Sequence, residues 1–442
     1  MSFKAMTWIL LAALVAIVGY FFLIDEKNRV RSVAERKLSA KLFRYRPEDV
    51  ERFILINPKG ERIEVARSGG GWKVVSPVEA PGSGLEISSF IAQIVPGRRS
   101  SELENVRNFA DYGLAQPFAT LIICRAGGAA PDTLLVGDKT PAGSNCYLRL
   151  GSSRSVLLSS EVTRNVMNKG LFHLRDKNFL PEGHQSIDAL EIRAGSKRTL
   201  LVKEKGYWWF TAPHVRANRL TIESYLSRLT DAVIHEFVRE DTKELAPYGL
   251  ESPAGELVLA KGKGTVTIAF GNKKDYLVNV VRTGLDKVVA IEAAFLAPFD
   301  WSTGNLRAMD FAFIDKDSVQ SLKYETPDTS IVIERAGTSW RAPEREQLSI
   351  RPPEVNALIR KLNSVSFERI LKEPLPVDAR LERFALRMIL ADARGNVIDR
   401  IAIAAQGDGS EIGSSTSANA LGSLPRGTAA GIDAIFKRIG AK

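Results

Sequence analysis

Cysteine and histidine are nearly absent from this sequence: two of the first and four of the second among 442 residues. Two thiols are too few for a disulfide scaffold or a four-cysteine zinc site. Cys124 and Cys146 fall on different predicted strands. In an oxidising compartment they could pair; otherwise they are two small apolar core residues. The histidines, His173, His184, His214 and His235, have no partner at metal-ligand spacing. His184 and His214 fall in predicted loops, and His235 in an apolar strand beside Glu236. A Gly-x-Ser-x-Gly elbow, a His-Glu-x-x-His pair and a CxxC are missing too. No catalytic, cofactor-binding or metal-binding residue is assigned, no cofactor is expected, and the chain is expected not to be an enzyme.

A concentrated basic surface is also lacking. The 61 basic and 51 acidic side chains leave a net charge of +10, but no Lys/Arg-rich run with interleaved aromatics gathers it, so nucleic acid is not an expected partner. Gly137-Asp138-Lys139-Thr140 has the look of the end of a phosphate loop, yet the upstream glycine of that motif is missing and no helix follows. Ser68-Gly69-Gly70-Gly71 leads into a strand, which makes it a hairpin turn. A composition 45% hydrophobic and 25% charged belongs to a folded globular chain.

Long hydrophobic runs are missing everywhere but one place. Ala5 to Ile24 is an uncharged, mostly apolar run of 20 residues, enough to cross about 30 Å of hydrocarbon as a helix. Trp8 near one end and Tyr20, Phe21 and Phe22 near the other suit the two interfaces. The run is longer than the apolar part of a signal peptide, and no A-x-A-like site precedes Asp25. An uncleaved single-pass anchor is expected over 1–25, then a basic juxtamembrane stalk over 26–48. Lys27, Arg29, Arg31, Arg36 and Lys37 follow the span while only Lys4 precedes it, against the positive-inside rule. Large downstream domains translocate largely regardless of such charge, so the expectation is an N-in, C-out anchor. The basic segment either rests on anionic headgroups or forms a solvated helical stalk.

What the chain does have is an internal repeat. Tyr112-Gly113-Leu114-Ala115-Gln116-Pro117 recurs as Tyr248-Gly249-Leu250-Glu251-Ser252-Pro253, 136 residues later, a period of whole-domain size. Each copy opens with a hairpin: 50–56 with 61–65, 187–193 with 199–202, and 319–324 with 331–334. A tryptophan-bearing strand follows, at Trp72, at Trp208 and Trp209, and at Trp340. Then comes an amphipathic helix with apolar residues at i, i+3, i+4 and i+7. These are Ile87, Phe90, Ile91 and Ile94; Ile222, Tyr225, Leu226 and Leu229; and Val355, Leu358, Ile359 and Leu362. After the Tyr-Gly-Leu-x-x-Pro turn, four more strands are predicted, with Gly137 and Gly271 ending matching ones. Leu174-Arg175 and Leu306-Arg307 close the first two copies.

The third copy departs from this pattern. Ala379-Arg380 replaces Tyr-Gly before Leu381-Glu382, and the Gly-, Ser- and Ala-rich stretch 406–431 reads as a loosened hairpin or mobile loop. The expected unit is β-β-β-α-β-β-β-β, an α+β module with one helix across an antiparallel sheet. The expected modules are 49–176, 187–315 and a divergent third, 318–442.

An N-terminal anchor, hairpins with a tryptophan strand and the recurring Tyr-Gly-Leu-x-x-Pro signature together resemble the bacterial domain-of-unknown-function 4340 family. Its members are often encoded beside ATP-binding-cassette (ABC) transporters of the gliding-motility type. The resemblance implies a non-enzymatic accessory subunit of the bacterial cytoplasmic membrane. Its bulk would lie in the periplasm, and its partners would be a permease and an ATPase. The family supplies no functional residues to carry over, and the binding residues are unknown. Two other classes stay open: an envelope protein binding a glycan or peptidoglycan strand, which would need Trp208 or Trp209 exposed, and an enzyme of unknown mechanism.

Overall fold

The computed structural model describes residues 41–439 apart from 181–186, 263, 346, 347, 349, 376–380 and 382. The expected span Ala5–Ile24, most of the stalk, His184, Ala379-Arg380 and Glu382 lie outside the described residues. Among the described residues no helix is long and apolar enough to cross a membrane.

Three sheets, each wholly antiparallel, frame the described residues. The first comprises β1 (Val50–Ile56), β2 (Arg62–Ser68), β3 (Gly71–Ser76), β4 (Ala80–Pro81), β5 (Arg99–Leu103), β6 (Ala119–Arg125), β7 (Asp132–Lys139), β8 (Asn145–Leu150) and β9 (Val156–Ser160). Its order is β4-β3-β2-β1-β6-β7-β8-β9-β5. Helix α1 (Gly84–Ile94) stands between β4 and β5, and two short helices, α2 (Glu161–Val166) and α3 (Leu171–Leu174), follow β9.

The second sheet repeats that order with β10 (Ala189–Ala194), β11 (Lys197–Glu204), β12 (Tyr207–Thr211), β13 (His214–Arg216), β14 (Glu236–Arg239), β15 (Gly255–Lys261), β16 (Gly264–Lys274), β17 (Leu277–Arg282) and β18 (Leu285–Glu292). Its helices are α4 (Arg219–Thr230) and the single turn α5 (Thr303–Leu306). The third sheet has eight strands: β19 (Ser321–Glu325), β20 (Ser330–Ala336), β21 (Ser339–Arg341), β22 (Arg369–Lys372), β23 (Leu386–Ala391), β24 (Val397–Ala405), β25 (Glu411–Ser415) and β26 (Ala420–Leu424). Helices α6 (Pro352–Ser364) and α7 (Thr428–Ile439) accompany it.

The helix stripes lie where the spacing puts them. All twelve stripe residues are buried, four per helix, each worth ~1.5–3 kcal/mol of apolar transfer. Ser83 caps α1 by accepting from the Glu86 N–H, Asn218 caps α4 by accepting from Thr221, and α6 opens on Pro352 and Pro353. Trp72, Trp208 and Trp340 sit in the three cores.

Two expectations need correction. The unit has more strands than seven. A short fourth strand precedes the helix in the first two copies, and a further strand after the helix crosses to the far edge and pairs with the last strand. Strand β5 reads Arg-Ser-Ser-Glu-Leu and is mostly exposed, so an edge position with one pairing partner left no alternation to read. Second, of the two readings of 406–431 the hairpin holds and the mobile loop does not, and the hairpin is not loosened. The stretch carries the register-matched pair β25 and β26 and the start of α7. Its glycines are there for closeness: a Cβ on Gly413 would meet Leu424 and Phe311, and one on Gly422 would meet Phe367.

The residues between modules carry apolar side chains into the next core. The N–H groups of Leu42, Phe179 and Phe311 donate to the carbonyls of Gly97, Ala232 and Val365, at 2.7, 2.9 and 2.8 Å. Each of those carbonyls lies just past its module's long helix, and the three side chains are buried. By contacts the chain divides into two compact units, one ending at Lys177 and the other running from Asn178 through the second and third modules.

The first two copies close alike. After β9 the chain passes over the β1–β2 turn, where the Asn57 amide donates to the Lys169 carbonyl. The Ser83 N–H then donates to the Leu174 carbonyl at 2.9 Å, and Arg175 bridges Gly82. In the second copy Lys197 donates to the Trp301 carbonyl, the Asn218 N–H to that of Leu306 at 2.6 Å, and Arg307 bridges Ala217. A strap of seven residues, from Lys169 to Arg175 and from Trp301 to Arg307, thus crosses one end of each sheet.

Candidate functional site

A groove of about 630 Å³ lies in the third module. One wall is the β19–β20 hairpin with its turn from Thr326 to Thr329, and the other is α7 from Ala429 to Ile439. Strand register aligns Tyr324 with Leu55 and Ile192, each paired two residues into the strand after the central turn: Leu55 with Leu121, Ile192 with Leu257, Tyr324 with Met388. Where two copies place an aliphatic side chain, the third places a phenol.

The Tyr324 ring stacks on Phe436 at 3.7 Å with an interplanar angle of 10°. Its hydroxyl donates to Asp433 at 2.6 Å, and Lys437 pairs with the other Asp433 oxygen at 2.7 Å. Burial, the Asp433 hydrogen bond and the Asp433 charge push the Tyr324 hydroxyl well above its ordinary range. Burial tends to raise Asp433, but Lys437 and Tyr324 outweigh it and hold that carboxyl below the usual range. Ile331, Ile333, Leu348 and Ile350 give the lining an apolar side, and Thr326, Asp328, Thr329 and Arg345 a polar one. A trough of mixed lining with a stacked aromatic floor and Asp433 already engaged is suited to holding a chain segment.

A second cluster joins the second and third modules. The Arg216 guanidinium lies 3.6 Å from the ring centre of Phe313, 4.0 Å from Tyr207 and 4.9 Å from Trp209. Burial lowers it to about 10, against the pull of Tyr207, Asp310 and Asp399. Asp399 is fully buried and accepts from Ser415, from Thr416 and Ser417 through both N–H and hydroxyl, with burial pushing its carboxyl up against those bonds. Ser417 also accepts from the Phe313 N–H. Nearby, Arg307 pairs with Glu373, and the Asn419 amide donates to the His214 carbonyl at 3.3 Å. On another strand Glu411 accepts from the Gly427 and Ala429 N–H groups at the start of α7. These polar groups hold elements together.

The residues singled out in the sequence stay apart. His173 is exposed and accepts from Gly170, His214 stacks on Trp209 at 4.5 Å, and His235 lies 3.9 Å from Glu292. Among the described residues no group of three His, Cys, Asp or Glu could hold a metal ion. Both thiols are free; Cys146 is buried, whereas Cys124 is half-buried on the other face of the sheet with β7 between them, so they cannot bridge within the chain. Trp208 is 1% exposed, and Trp209 is covered by His214 and Arg216, so neither offers a platform to a sugar ring.

The Tyr-Gly-Leu turn and the strand-ending glycine prove to be one device. Gly113 and Gly249 take left-handed φ of 65° and 69°. A Cβ on Gly137 would run into the Tyr112 carbonyl oxygen, and one on Gly271 into that of Tyr248. Register puts Ala404 at the equivalent place of the third copy, and that copy lacks Tyr-Gly.

The profile of a domain of unknown function, DUF4340, matches residues 72–214 and again 208–383. The chain belongs to that family. No curated protein and no solved structure matches it. The DUF4340 unit is out of phase with the sheets: it starts at the tryptophan strand of one module and ends at or beyond that of the next. The Leu-Arg strap and the phenylalanine that enters the following core therefore lie inside the DUF4340 unit. The matched residues stop before β23, so α7 and its side of the groove lie beyond them.

Sequence reading missed Arg216, Asp399, the Arg307–Glu373 pair and the groove. One signal was available for the junctions: Leu174-Arg175-x-x-Asn178-Phe179 and Leu306-Arg307-x-x-Asp310-Phe311 carry the repeat beyond the Leu-Arg pair that closes each copy.

Proposed function

We propose that this DUF4340 chain is a non-enzymatic, single-pass membrane protein of the bacterial cytoplasmic membrane. Its repeat modules lie in the periplasm and bind protein partners, as an accessory subunit of an ABC-type transport system. The observation that carries the reading is the groove of the third module, with Tyr324 stacked on Phe436 and the Asp433 carboxylate already engaged by Tyr324 and Lys437. Asp399, Glu411 and the Arg307–Glu373 pair are likewise committed to holding the fold. The apolar run Ala5–Ile24 supports the anchor. The transporter partner rests on the family resemblance.

The test is a crosslinking pull-down from membranes of cells expressing the tagged full-length chain, read by mass spectrometry. Recovery of a permease together with an ATPase is the expected result. Recovery of wall fragments alone, or of nothing, would overturn the accessory reading.

A further inference from the structure

The groove follows the path that a strap of the chain's own takes in the other two modules. In those copies the strap starts over the first hairpin turn, where Asn57 and Lys197 hold its carbonyls. It ends beside the residue before the helix cap, where Arg175 bridges Gly82 and Arg307 bridges Ala217. In the third module the equivalent landmarks are the turn Thr326–Thr329 and Ile350, and both line the groove. Register fixes the correspondence, because Ile350 bridges Trp340 just as Gly82 and Ala217 donate to the carbonyls of Trp72 and Trp208.

The cap residues agree. The Ser83 and Asn218 N–H groups donate to the strap leucine's carbonyl. Among the described residues nothing accepts from the N–H of Arg351, their counterpart at α6. In the third module the residues at the strap's distance from the last strand, 433–439, are the end of α7 and form a wall beside this path, and 346, 347, 349, 376–380, 382 and 440–442 lie outside the described residues.

We infer that the third-module groove binds a strap supplied by a partner protein: about one helical turn ending in Leu-Arg, with its leucine against Ile331 and Ile350 and its backbone carbonyl on the Arg351 N–H. The chemistry is that of Gly170 to Arg175 and Ser302 to Arg307, which share a glycine, a single-turn helix and the terminal Leu-Arg. Recognition is by apolar burial and main-chain hydrogen bonding, as when a partner's segment completes an unfinished domain. The inference rests on the partner-binding reading above and names the site and the partner's local chemistry.

The experiment uses the detergent-solubilised full-length chain and a fluorescent peptide with the sequence of residues 168–180, followed by anisotropy. Saturable binding is expected, weakened about tenfold or more by Leu174→Asp in the peptide. Ala430→Trp in the protein should abolish it, because Ala430 is an exposed α7 residue in the groove wall and its replacement fills the trough without disturbing the core. Absence of saturable binding, or binding indifferent to both changes, would overturn the inference. Tighter binding to a chain lacking residues 440–442 would also overturn it, by making the chain's own end the occupant. In the membrane pull-down, loss of the permease and ATPase from the Ala430→Trp chain supports the inference. Undiminished recovery from that chain overturns the groove as the docking place and leaves the accessory reading standing, whereas failure to recover them with the unaltered chain overturns the accessory reading alone.

Discussion

At the scale of single residues, the Tyr-Gly-Leu turn shows how a short motif acquires its meaning from a distant partner. The sequence displayed Tyr112-Gly113-Leu114 and Gly137 as separate repeat marks, because a contact between a carbonyl and a missing Cβ leaves no periodicity. Gly137→Ala and Gly271→Ala are each expected to cost about 1–3 kcal/mol by overpacking. Urea midpoints of the variants check this, and an unchanged midpoint would refute the packing account. The thiols differ in the same local way. Burial pushes Cys146 up to about 11, so it holds little thiolate at pH 8, while Cys124 is half-buried. A disulfide reagent at pH 8 is expected to modify one thiol in the native chain, lost in Cys124→Ser, and the second only on unfolding.

At the scale of elements, the long helices α1, α4 and α6 were legible because 3.6-residue periodicity writes a buried face directly into the chain, and all twelve stripe positions are buried, whereas the short α2, α3 and α5 carry no such stripe and were not expected. Edge strands such as β5 were illegible for the opposite reason: one pairing partner and an exposed surface impose no pattern. Helix α7 falls between these cases. Its apolar positions include Ile432, Phe436 and Ile439, but what fastens it beside the groove is Asp433, set between Tyr324 and Lys437. Nothing in the sequence tied residue 324 to residue 433. Because the folded carboxyl is held below its unfolded value, its contribution is present above about pH 4 and is lost as pH falls through the lower folded value. The Tyr324 hydroxyl is raised, so its contribution is present below about pH 10 and is lost as pH rises above it. Asp433→Asn is therefore expected to flatten the acid limb of the stability curve, and Tyr324→Phe the alkaline limb, in urea titrations across pH. Limbs unchanged in both variants would mean that other groups set them.

At the scale of the whole molecule, the three-fold repeat was readable in outline, but the joining of the second and third modules was not, since its residues lie in positions the repeat does not share. Arg216 stands where the first copy has Pro81, paired across from Trp209 as Pro81 is from Lys73. Around it the unit from Asn178 onward is tied by Arg216 on Phe313, by Asn419 on His214 and by the Arg307–Glu373 pair. The ion pair is the sharpest probe of this joining, because Arg307 is only 6% exposed and Glu373 is largely covered. Removing one member of a buried pair leaves the other charge without compensation, which costs roughly 3–5 kcal/mol, whereas replacing both by apolar groups is often near neutral. Calorimetry of the solubilised chain is expected to show the second and third modules unfolding in one transition, distinct from that of the first. Arg307→Ala should split that transition in two or lower it by several degrees, and the double change Arg307→Met with Glu373→Leu should restore it. If Arg307→Ala leaves a single unshifted transition, the pair is incidental and the joining rests on the cation–π contact of Arg216 with Phe313. A split that the double change fails to repair would instead mean that the charges themselves, and not the packing of their side chains, hold the two modules as one cooperative body.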